Sequence, residues 1–123
     1  MASQTEARNG IEYDWDQGES TWKAGMDNNL RTIGSILNLS VIDIINDPPG
    51  SPSDGDAYIV LVGTGLWSGN DDNIAIWFNA DAVWRFYVPT TGITSFVTTG
   101  TFANQLIAYN GTNWSTNGFT FTF

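Results

Sequence analysis

The spacing of apolar residues changes twice along the chain, and the changes divide it into three parts. Residues 1–20 are polar and carry no sustained period, with Gly10 and Gly18 interrupting them. They read as an arm that is disordered alone or ordered on a partner. Within the arm, Ile11-Glu12-Tyr13-Asp14-Trp15-Asp16 alternates apolar side chains with acids, as a short strand would. Residues 21–39 switch to a helical period. Trp22, Met26, Leu30, Ile33 and Leu37 follow one another at spacings of four, four, three and four, along one stripe of a helix. Ser20 or Thr21 is placed to cap its start, and Asp27 and Arg31 are spaced as a surface pair. Gly25 and Gly34 each weaken an isolated helix by about 1 kcal/mol, so the helix needs packing to persist.

Beyond the helix, Val41 to Ile45 is a short apolar run, expected as a strand or linking segment. The run Asp47-Pro48-Pro49-Gly50-Ser51-Pro52-Ser53-Asp54-Gly55-Asp56 is a stiff turn-rich loop and the clearest internal boundary. After it the period becomes that of strands. Ala57 to Val62, Ile74 to Phe78, Val83 to Val88, Ile93 to Thr98 and Gln105 to Tyr109 are predicted strands, with a further short element at Leu66-Trp67. Residues 79–82 and Asn110-Gly111-Thr112-Asn113 are predicted hairpin connections. Phe119, Phe121 and Phe123 alternate with threonine as a last strand. The pattern predicts a mainly β protein: an arm (1–20), one helix with a linking segment (21–46), and a small antiparallel β-domain (47–123).

Composition narrows the chemistry. The 123 residues hold one domain's worth of core, and a domain of that size gains from oligomerisation. There is no cysteine and no histidine, which excludes disulfides, thiolate nucleophiles, Ser-His-carboxylate triads and the usual zinc sites. Net charge is −9, and the four cations, Arg8, Lys23, Arg31 and Arg85, are scattered. Nucleic-acid binding needs clustered cations, so none is expected. No apolar run is long enough to span a membrane, and no apolar stretch near the start suggests a signal peptide. All thirteen acidic residues lie between Glu6 and Asp81, and nothing after Arg85 is charged. That uncharged Thr- and aromatic-rich tail would be an aggregation hazard if left exposed, so it is expected to be buried against other copies.

Three sets of residues are candidates for function. The carboxylate pairs Asp14/Asp16, Asp54/Asp56 and Asp71/Asp72 have the composition of acid–base pairs or of oxygen-rich cation sites, but they sit in turns, where Asp caps its own backbone. No catalytic residue, metal ligand or cofactor is assigned. The aromatics number six Trp, four Tyr and seven Phe. Most are needed to fill a small β core, while Trp67, Asn110, Asn113 and Trp114 are the candidates for stacking on and hydrogen-bonding a glycan. The stripe Trp22, Met26, Leu30, Ile33 and Leu37 is the candidate oligomerisation surface, a homotrimer being the expected state, and Ile11, Tyr13 and Trp15 are candidates for anchoring the arm on another protein.

Four stretches also resemble a known family. Trp22-Lys23-Ala24-Gly25-Met26-Asp27-Asn28-Asn29-Leu30 is similar to the Trp-x-x-Gly-Met-Asp-x-Asn-Leu opening of a phage-encoded domain family. That family is known mainly as a domain of unknown function in tail-fibre, head-spike and gene-transfer-agent proteins. The segment from Pro48 to Val60, with its Pro-Pro-Gly-Ser-Pro-x-Asp-Gly-Asp block, is the second match. The third is Gly65-Leu66-Trp67-Ser68-Gly69 with Ile74 to Trp77 and Trp84 to Pro89, and the fourth is Ala108 to Trp114. Order and spacing agree from about Tyr13 to Trp114, and the Phe-Thr-Phe-Thr-Phe ending departs from the pattern. The resemblance implies a non-enzymatic structural component of a virion appendage, a tail or head fibre or spike, located on the particle and held to other virion proteins through the arm. The long extension of larger fibre proteins is lacking, which suggests a base or adaptor. The alternative expectation is a carbohydrate-binding module that contacts host surface glycans.

Overall fold

The computed structural model describes residues 3–116, and the expected strand at Phe119 to Phe123 lies outside the described residues. Over the described residues the protein is mainly β with one α-helix. It divides into two compact units, Met1–Asn38 and Leu39–Phe123.

In the first unit the arm is ordered on its own chain. Strands β1 (Gln4–Thr5) and β2 (Glu12–Tyr13) pair antiparallel, with Gln4 opposite Tyr13 and Thr5 opposite Glu12. The Glu6 carboxylate closes the loop between them by accepting the amides of Arg8 (2.8 Å), Asn9 (2.6 Å) and Ile11 (3.1 Å). Helix α1 (Trp22–Ile36) follows. Its cap differs from expectation. Thr21 occupies the N-cap position with helical dihedrals and makes no side-chain cap bond, because its hydroxyl is turned to Glu19. Asp27 pairs with Lys23, one turn before it, at 2.7 Å, rather than with Arg31.

The second unit is built from two four-stranded sheets. One has the order β10 (Trp114–Ser115), β9 (Gln105–Tyr109), β8 (Thr94–Val97), β3 (Ser40–Val41); the other runs β4 (Asp43–Ile45), β5 (Ala57–Val60), β6 (Ile74–Phe78), β7 (Val83–Tyr87). The apolar run at 41–45 is thus two strands, one in each sheet, with Ile42 between them. Both lie ahead of the proline-rich boundary, inside the β unit. The sheets are mixed rather than purely antiparallel: β3 pairs parallel to β8, and β4 parallel to β5. Parallel neighbours need a crossover, and the stiff proline-rich segment 46–56 supplies the one from β4 to β5. The two predicted hairpins, β6–β7 and β9–β10, form with the expected connections.

Strand alternation sorts the side chains into two cores. Ala57 and Ile59 of β5 and Ile74 and Ile76 of β6 pack with Val41, Val97 and Ile107 from the other sheet. The intervening residues, Val60 and Ala75, face a second cluster built around Trp67. Trp67 ends a 3-10 turn at Gly65–Trp67, and its ring meets Trp84 edge-on at 5.0 Å and Tyr58 at 5.7 Å. The β4–β7 sheet is therefore covered on both faces, and Trp67 is its second cover.

Candidate functional site

The most informative surface is that of α1. The helix buries Gly25, Asn29 and Thr32, a stripe of small and polar residues at spacings of four and three. Each has a reason. The Trp15 indole lies on the helix at Gly25, where a Cβ would collide with the ring and with Glu12 Oε2. Asn29 bonds the strand backbone twice: its Oδ1 accepts the Glu12 amide at 2.8 Å and its Nδ2 donates to the Glu12 carbonyl at 2.7 Å. The carboxamide thereby behaves as a one-residue strand beside β2. These contacts hold β2 and Trp15 against the helix.

The apolar stripe lies one residue further along. Met26 follows Gly25, Leu30 follows Asn29, and Ile33 follows Thr32, so the stripe is rotated by about 100° from the buried one. Trp22, Met26, Leu30, Ile33 and Leu37 are all exposed, Leu30 at 61 % and Leu37 at 79 %. The stripe is not uniform. Steps of four, three and four from Met26 through Leu30 and Ile33 to Leu37 are those of a coiled-coil seam, with Met26 and Ile33 at d and Leu30 and Leu37 at a. Trp22 sits one position off that register. In this register Lys23 holds the a position ahead of Met26 and Asp27 the flanking e position; the two form an ion pair, and Asp27's carboxyl lies below its ordinary range chiefly through that bond.

Two candidate sets meet here. Ile11 from the arm joins Asn9, Ile33, Ile36 and Leu37 around a shallow groove of about 320 Å³. Of the residues expected to anchor the arm on another protein, only Tyr13 is well exposed, at 50 %. Trp15 is turned inward, and its Nε1 is buried without a hydrogen-bond partner. Of the expected anchor residues, Trp15 is instead part of a clasp on the chain's own helix, because Gly25 offers the indole a seat. Sequence reasoning missed Gly25 and Asn29 as the buried face, because the apolar stripe beside them carries the periodic signal.

The glycan candidates do not form one site. Trp67 has no exposed surface, so no sugar can stack on it. Asn110 is occupied by its own turn, where its Oδ1 accepts the amides of Thr112 and Asn113 at 2.8 Å each. Trp114 and Asn113 do come together, in the wall of a cavity of about 320 Å³. Ile44, Ile59, Phe102 and Ile107 make much of the remaining wall, and Trp114 Nε1 donates to the Asp72 carbonyl at 2.8 Å. The wall is mostly apolar, unlike the polar shelf a sugar's hydroxyls require.

Three of the paired carboxylates, Asp54, Asp56 and Asp71, anchor loops. Asp54 Oδ1 accepts the Asn79 amide at 2.9 Å, Asp56 Oδ2 the Ser53 amide at 2.8 Å, and Asp71 Oδ1 the Gly63 amide at 2.7 Å. Among the described residues, no three acidic side chains gather as a cation site.

No curated protein matches the chain. A family model described as a protein of unknown function, DUF2793, matches residues 26–115, from the second turn of α1 to the end of β10. That span includes the seam, the crossover, both sheets and both cores, and on it the chain belongs to the DUF2793 family.

Proposed function

We propose that this protein is a structural component of a bacteriophage virion appendage, a fibre or spike or its base, and that it assembles as a homotrimer through the α1 seam. The observation that carries the assembly is the seam itself. Leu30, Ile33 and Leu37 project outward at a/d spacing while the clasp already occupies the adjoining Gly25–Asn29 face. An apolar helix face of this kind loses contact with water by packing on other helices. Leu at a with Ile at d favours more than two helices, which supports a trimer over a dimer. The phage assignment is supported by the motif resemblance, from Trp22 to Leu30 and from Pro48 to Val60. Its role is mechanical, contributing to assembly and host attachment without turnover.

Particle location is the test. Antibody raised against the protein should decorate a head or tail appendage of purified particles in electron micrographs, and the chain should copurify with them. Particles free of the chain would refute the assignment. The rival carbohydrate-binding module rests on Trp114 and Asn113. Glycan binding by the intact chain that is lost in a folded Trp114→Ala variant would favour that rival.

A further inference from the structure

Sheet pairing leaves the outer edge of β7 unused among the described residues. β7 ends the order β4-β5-β6-β7, and it pairs with β6 in unbroken register, from Phe78 opposite Val83 to Ile74 opposite Tyr87. The direction of each bond follows from Trp77 on β6. Its amide donates to the Asp56 carbonyl at 2.9 Å and its carbonyl accepts the Gly55 amide at 2.9 Å, both on the β5 side. Bonding direction alternates along a strand, so Ile76 and Phe78 bond toward β7 and meet Arg85 and Val83. Trp84 and Phe86 therefore aim their N–H and C=O groups away from the sheet. Among the described residues, no backbone group from beyond β7 bonds them.

This edge has the features of a pairing surface. No proline or bulge interrupts it, and Val83 and Val88 at its two ends are 39 % and 77 % exposed. Alternation sorts its side chains into two rows. Trp84 and Phe86 pack on the Trp67 cluster, and Trp84 meets its cross-strand partner Trp77 with ring centroids 5.3 Å apart. Arg85 takes the other face. Its guanidinium lies 5.5 Å from the centre of the Phe78 ring, and its Nη2 is 2.9 Å from Asp81 Oδ2. Its Nε is buried and has no hydrogen-bond partner, a costly state for a donor.

We propose that the outer edge of β7 receives an extended segment of another polypeptide, which adds to the sheet as an antiparallel strand and carries an acidic residue opposite Arg85, between two apolar ones. Main-chain bonds to Trp84 and Phe86 supply the pairing. The apolar residues fall opposite Trp84 and Phe86 and continue the aromatic row by one strand. The acidic residue faces Arg85 in a non-hydrogen-bonded pair, where opposed side chains come closest. Charge argues against a second copy of this chain as the occupant. Two β7 strands paired antiparallel about Arg85 would set the two guanidinium groups opposite each other, which like charges disfavour. The inference is independent of the virion assignment and of the α1 seam.

Two end-blocked synthetic peptides test it, Thr-Val-Glu-Val-Thr and Thr-Val-Lys-Val-Thr, added at millimolar concentration to the full chain while amide hydrogen exchange is followed residue by residue. The Glu peptide should slow exchange at Trp84 and Phe86 at least about fivefold at saturation, and leave the Arg85 amide, which already faces β6, unchanged. The Lys peptide should bind roughly fivefold more weakly. In Arg85→Gln the two peptides should bind alike, and a preference for Glu that survives this substitution would overturn the proposal. Should that variant lack the native circular dichroism, the peptide pair on the unaltered protein decides. Unchanged exchange at Trp84 and Phe86, or equal binding of the two peptides to the unaltered chain, would overturn it. So would protection of both amides in the protein alone, because the chain would then cover the edge itself.

Discussion

The two units of this protein use their apolar residues in opposite ways. In the β unit, strand alternation turns Ile59, Ile74, Val97 and Ile107 inward, and Trp67 seals the second face of a sheet. In the arm–helix unit, the interior of the helix is Gly25, Asn29 and Thr32, and the large apolar side chains are outside. One unit is stabilised by what it hides from water. The other is held by a hydrogen-bonded clasp and presents its apolar face outward. The contrast separates the helix face that holds the first unit together from the face left in water. The helix spends its polar, small face on its own chain and leaves its apolar face exposed, and that face is the one we propose for assembly.

The comparison can be broken most forcefully at Trp67. Trp67→Ala should cost the β unit about 3–5 kcal/mol, read by denaturant unfolding followed by fluorescence. A loss under about 1 kcal/mol would mean that the second core contributes little. A smaller effect is expected at Asn29. Asn29→Ala leaves the Glu12 backbone groups without their partner and should cost about 1–3 kcal/mol, confined to the first unit. Hydrogen exchange should quicken at the Glu12 amide and not in β5 or β6. Uniform acceleration across both units would deny that they are separate in stability.

Leu30 sharpens the contrast from the other side. At concentrations where the chain is monomeric, Leu30→Ser should change stability by no more than about 0.5 kcal/mol, since the side chain is already in water. The same substitution should weaken self-association at least tenfold, measured by sedimentation, at about 1.4 kcal/mol for each factor of ten. The smallest effect is the pH response of the arm. Hydrogen bonds from backbone amides, Ile11 first and then those of Arg8, Asn9 and Gly10, hold the Glu6 carboxyl below its ordinary 4.5. Its stabilising contribution is therefore complete above 4.5 and is lost as pH falls through the lowered value. Amide protection at Ile11 should fall on acidification below 4.5, and Glu6→Gln should abolish that dependence.

Much of the β unit was legible because its signals are local. The apolar runs at 74–78 and 83–87 predict strands, and the polar turns at 79–82 and 110–113 predict the two hairpins. The parallel pairings of β3 and β4 were not legible, since a two- or three-residue strand has too short a period to declare its partner. Trp67 misled because a tryptophan among Ser, Gly and Asn has the composition of a sugar site. Its burial depends on Tyr58 and Trp84, residues distant in sequence. In the first unit, the pattern at Trp22, Met26, Leu30, Ile33 and Leu37 identified the helix and its apolar face. It did not reveal that Asn29 would draw the arm onto the adjoining face, because a side chain that substitutes for a strand leaves no periodic trace.

The central claim, that the exposed α1 seam joins copies of this chain, is tested most directly by the mass of the full protein in solution. Light scattering at micromolar concentration should give about three times the 13.5 kDa chain mass, and the Leu30→Ser protein should fall toward one. A stable monomer of the unaltered chain at that concentration would contradict the account.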